Sequence, residues 1–104
     1  MGLISVAVVD EEGEVERSLE ASVIRPLTDI LLPDSGIENT HCLRYIDSYG
    51  DTIFNRLQFD QLRSEIEARK VVATPIQQNG LNRILALIAF AQAEPHRYVR
   101  FYGD

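Results

Sequence analysis

The chain has 104 residues, with sixteen acidic against ten basic side chains, a formal charge of -6 and a hydrophobic fraction of 45%. That length makes one domain over residues 1–104, and that composition excludes a disordered chain. The charge excludes sequence-independent binding to a phosphate backbone, which needs clustered Lys and Arg, and suits instead a soluble protein that attracts a cationic partner.

Leu3 to Val9 is rich in Val and Ile and apolar on both sides, which predicts a central strand. Asp10-Glu11-Glu12-Gly13-Glu14 ends it with a turn. Val15, Leu19 and Val23 then follow at i,i+4 spacing, but Pro26 blocks a continuous helix. A short helix from Pro26, carrying Leu27, Ile30 and Leu31 inward, is expected to end before Pro33. From Pro33 to Thr40 turn formers predict a surface loop.

Cys42 to Asn55 reads as a β-hairpin: a strand over Cys42–Asp47, a turn at Ser48–Asp51 and a second strand from Thr52. Arg56 to Lys70 switches to helical spacing. Leu57, Leu62, Ile66 and Phe59 form the apolar stripe, with Arg63, Glu65, Glu67 and Arg69 outward. Thr74-Pro75-Ile76-Gln77 has the form of a capping box and opens a second helix running to about Ala93. Ile76, Leu81, Ile84, Leu85, Ile88 and Ala91 are its expected core face, and Asn79-Gly80 its weak point. Pro95 closes the helix. His96 to Tyr102 alternates as a last strand, with Arg97, Val99 and Phe101 on one face and Tyr98, Arg100 and Tyr102 on the other. The expected fold class is α+β: a mainly antiparallel sheet of about four strands, with two main helices packed on one face.

The stretch Arg44 to Gln58, with the ending Arg97 to Asp104, resembles a group of small uncharacterised bacterial proteins. They share a D-x-Y-G-D-T-x-F-N-x-L-Q hairpin and an R-F-x-G-D terminus. The resemblance covers about a quarter of the chain and implies a bacterial origin, but no chemistry and no functional residues. The chain also looks like toxin-neutralising immunity proteins, by analogy of size and charge alone.

Sites of chemistry are sparse. The single cysteine, Cys42, excludes an intramolecular disulfide and a cysteine zinc site, and fits a reducing compartment. His41 and His96 lack metal-ligand spacing. Asp47 and Asp51 flank the hairpin turn, where shaping the turn is their expected role. No phosphate-binding glycine motif is present. Ile84 to Ala91 is too short an apolar run to span a bilayer, and the N-terminal residues lack the pattern of a signal peptide. The expectation is a cytoplasmic protein that is not an enzyme, has no cofactor or metal and binds neither membrane nor nucleic acid.

The most suggestive feature is a surface. If Val99 and Phe101 face the helices, Tyr98, Arg100 and Tyr102 face away from them. Tyr and Arg are the residue types enriched at interface hot spots. With Arg44 and Tyr49 of the hairpin they make up the candidate protein interface. The expected function is a protein-binding module, an immunity-type inhibitor or regulator of a partner protein. The alternative is a homo-oligomeric structural or regulatory domain that buries the same face by self-association.

Overall fold

A computed structural model describes residues 4–31, 40–46 and 50–103. In chain order it contains β1 (Ile4–Val9), β2 (Val15–Ser18), α1 (Ala21–Ile24) and α2 (Thr28–Leu31), followed by β3 (Asp51–Phe54), α3 (Phe59–Arg69), α4 (Pro75–Gln92) and β4 (Tyr98–Gly103). The strands pair in the order β2-β1-β4-β3, all antiparallel. The fold is α+β, with two main helices against one face of the sheet.

β1 lies inside the sheet because both of its sides are apolar. Val6 and Val8 join the main core, opposite Phe101 and Val99 of β4. Its partner in a hairpin is β2, so Val15 belongs to a strand and not to a helical repeat. Asp10 shapes the connecting turn. Its side chain accepts from the amides of Glu12 and Glu14, both at 2.9 Å, and its carbonyl accepts from Gly13. Gly13 has φ +83°, a conformation open to glycine at little cost.

The helical stretch after β2 begins before Pro26 rather than at it. α1 and α2 are joined by a 3-10 turn over Arg25–Leu27, because proline has no amide with which to continue an α-helical ladder. Leu27, Ile30 and Leu31 point inward as their spacing predicts. The loop expected at Pro33–Thr40 lies outside the described residues except for Thr40, which is buried.

The expected hairpin at Cys42–Asn55 is not formed. Leu43–Tyr45 is a 3-10 turn, and β3 pairs with β4. The cause is Glu65 in α3. Its carboxylate accepts from the amides of His41 (2.7 Å), Cys42 (3.1 Å) and Leu43 (2.9 Å). Three successive amides converging on one anion curl the backbone away from a strand. Cys42, Leu43 and Ile46 are all buried, a pattern that strand alternation does not give.

Glu65 is therefore inward, 7% exposed, and not on the outer face of α3. Leu57 is the converse, at 92% exposed. It sits in a 3-10 turn over Arg56–Gln58, whose tighter period breaks the helical phase before α3 begins. Asn55 caps that turn by accepting from Leu57 N, and Gln58 returns a bond to Asn55 N. Phe59, Leu62 and Ile66 fill the core.

The capping box at Thr74 forms as expected, with Gln77 N donating to Thr74 Oγ1 at 3.2 Å and Thr74 N to Gln77 Oε1 at 3.0 Å. α4 then runs unbroken through Asn79-Gly80. A Cβ at Gly80 would make tight contacts, 3.0 Å from Leu27 Cδ1 and 3.1 Å from the Val23 carbonyl. Ile76 is exposed and Leu85 only partly buried, while Leu87 joins the core. Phe54 and Phe101 meet edge to face at 5.7 Å and tie β3 to β4 beneath the helices.

Candidate protein-docking face

Alternation along β4 divides its side chains. Val99 and Phe101 are fully buried under the helices, while Tyr98, Arg100 and Tyr102 are half-buried on the opposite face. Directly paired residues share a face. Val9 and Ala7 of β1 therefore stand beside Tyr98 and Arg100, and Ile53 and Asp51 of β3 beside Arg100 and Tyr102. Ala7 and Val9 are small and buried as the floor. Ile53 remains 54% exposed.

Arg100 organises this surface. It pairs with Asp51, and its guanidinium carbon lies 4.4 Å from the centre of the Tyr102 ring. The Asp51 carboxylate drives Arg100 further toward its charged form. Nε of Arg100 is buried and has no hydrogen-bond partner among the described residues. Val9, Ile53, Tyr98 and Arg100, with the turn residues Asp10 and Glu11, line a shallow pocket of about 220 Å³. Glu11 Oε1 is 2.5 Å from Nδ1 of His96, which leads into β4 from a left-handed conformation at φ 66°.

Of the expected interface residues, the structure brings together Tyr98, Arg100 and Tyr102. Arg44 is on the 3-10 turn beside Tyr45, 5.5 Å from that ring, and not in a strand of the sheet. Tyr49 lies outside the described residues, as does Asp47. Asp51 is the acidic partner of Arg100 at the start of β3, and the turn expected at Ser48–Asp51 lies partly outside the described residues. Sequence reasoning missed Ile53 and the β1 floor. Both were readable from parity, since Ile53 alternates with the buried Phe54 and Val9 with the buried Val8.

The cysteine and histidines are held by separate partners. Cys42 is buried, its Sγ 4.0 Å from the Gln58 carbonyl. Burial first, and the Glu65 carboxylate second, push its thiol up to about 11. His96 faces Glu11, whereas the His41 amide is bound to Glu65. Among the described residues no three His, Cys, Asp or Glu side chains converge as metal ligands, and no helix is long and apolar enough to cross a membrane.

Compared with protein-family models, curated proteins and solved structures, the chain has no match in any of the three.

Proposed function

We propose that this protein is a non-enzymatic binding module that docks a cationic partner protein on the sheet face opposite its two main helices, as an immunity-type inhibitor or regulator does. One observation carries the reading: Tyr98, Arg100, Tyr102 and Ile53 stand together on that face, part-exposed, beside the acidic β1–β2 turn. Large amphipathic side chains at the centre of a patch supply contact area, and charge at its edge steers association. The turn residues Asp10, Glu11, Glu12 and Glu14 and the net charge of -6 favour a basic partner over a second copy of the same acidic chain. In this reading the protein acts in the bacterial cytoplasm.

The test is differential capture. Tagged wild type, a Tyr98→Asp/Tyr102→Asp variant and a Leu57→Asp control are each exposed to extract of the source organism. The reading expects one stoichiometric basic protein with wild type and control, absent with the face variant and released by salt. Equal capture by all three, or no stoichiometric protein, would reject it. A wild-type dimer abolished by the face variant would replace it with self-association.

A further inference from the structure

A second surface, on the helix side of the molecule, gathers arginines around an aromatic ring. Arg17 of β2 and Phe90 of α4 meet with the guanidinium carbon 3.9 Å from the ring centre, and Arg97 approaches the same ring at 4.0 Å. Two planar groups that close must occupy opposite faces of the ring. Their electrostatic situations differ. Arg97 is neutralised by Glu16 at 3.1 Å and Glu94 at 3.6 Å, and also donates to the Phe90 carbonyl. Arg17 meets no carboxylate among the described residues, and its neighbour Glu16 is already taken by Arg97. Its stack on Phe90 holds it in place while leaving its N–H groups available.

Arg17 borders a pocket of about 320 Å³ between β2 and α4, lined also by Ser18, Leu19, Arg83, Ala86 and Leu87. Arg83, exposed on α4, likewise meets no carboxylate among the described residues. Two arginines beside the apolar residues Leu19, Ala86 and Leu87 combine anion recognition with an apolar wall. The volume lies at the small end of ligand pockets. We propose that this pocket binds a small organic carboxylate, its anion held by Arg17 and Arg83 and its apolar body set against Leu19 and Leu87. Arginine suits the task because its planar fork matches a carboxylate. This site is separate from the docking face and stands or falls independently of it.

The test uses benzoate as probe, followed by amide chemical shifts in ¹H–¹⁵N spectra of the full chain. Saturable shifts at Ser18, Leu19, Ala86 and Leu87 are expected, with a Kd of about 1 mM for so small a ligand. Arg17→Gln and Arg83→Gln should each weaken binding about tenfold, the loss expected for one hydrogen bond to a charged group. Arg25→Gln, outside the pocket, should leave it unchanged, and retained spectra elsewhere show that each variant is folded. Benzyl alcohol, which lacks the charge, should bind at least about tenfold more weakly. The proposal is overturned if no localised saturable shifts appear by about 20 mM benzoate, if Arg17→Gln and Arg83→Gln both bind as wild type does, or if inorganic phosphate binds equally well without the apolar body.

Discussion

Replacing Glu65 by Gln changes no shape and removes one charge, so it isolates what a buried carboxylate contributes to the fold. Four donors converge on that carboxylate: the amides of His41, Cys42 and Leu43, and Gln61 Nε2 at 2.7 Å. A hydrogen bond to an ionised group is about twice as strong as a neutral one. Losing the charge should cost about 0.5–1 kcal/mol at each donor, and the new NH₂ would face amides that are themselves donors. The sum is about 3 kcal/mol, a large share of the 5–15 kcal/mol that holds a domain together. Urea unfolding at pH 7 should show it as a midpoint lower by about 1.5 M, taking a slope of about 2 kcal/mol/M. Acidity supplies a second readout. Burial pushes the Glu65 carboxyl up, but the bonds from Leu43, Gln61, His41 and Cys42 outweigh it and hold the group below the ordinary 4.5. A depressed carboxyl stabilises the fold above its unfolded value and loses that contribution as pH falls through the folded one. The gap between wild type and Glu65→Gln should therefore be constant at neutral pH and shrink once the pH drops below 4.5. A Gln variant as stable as wild type at pH 7, or a gap that widens on acidification, would refute the role assigned to this residue.

Cys42 should resist alkylation by a thiol reagent at pH 8 in the folded protein and react at once in denaturant, since its thiol is buried and held up to about 11; rapid labelling of the native state would contradict that burial. Gly80→Ala should destabilise by about 1 kcal/mol in thermal or urea unfolding despite the better helix propensity of alanine, because the new Cβ would press on the Val23 carbonyl at 3.1 Å, a backbone atom with little room to yield. Leu57→Lys should leave stability within about 0.5 kcal/mol, whereas Leu62→Ala should cost about 2–5 kcal/mol, the difference being that Leu57 is exposed and Leu62 fully buried. Asn55→Ala should cost about 1 kcal/mol through loss of the side-chain acceptor for Leu57 N.

What the sequence made legible was whatever depends on local period or local chemistry. β1 declared itself central by being apolar on both sides. Thr74-Pro75-Ile76-Gln77 declared a helix start because the capping box is closed within four residues. β4 declared its two faces by alternation, and with them Tyr98, Arg100 and Tyr102. The failures share a cause, which is contact between distant residues. Cys42–Asp47 has strand-like composition, but Glu65, 23 residues beyond Cys42, collects the backbone amides there and makes a 3-10 turn of Leu43–Tyr45. The same long-range bonds turn Glu65 inward against its helical pattern. Asn79-Gly80 looked like a break because glycine lowers helix propensity, yet the helix runs through it and the glycine leaves room for the close approach of Leu27 and Val23 from another segment. Leu57 matched the helical stripe in spacing, and only the 3-10 turn preceding α3 moves it out of phase. The pairing of Arg100 with Asp51 could not be read because it depends on β3 lying against β4, 49 residues apart in the chain at that contact.

The sheet face opposite the two main helices as a docking surface is tested most directly by hydrogen exchange on the complex with the captured partner. Binding should slow exchange at the amides of Ile53, Tyr98, Arg100 and Tyr102 and of the Asp10–Glu14 turn, while those on the exposed side of α3 keep their free rates. Protection confined to α3 and α4, with the sheet face exchanging as in the free protein, would contradict the account.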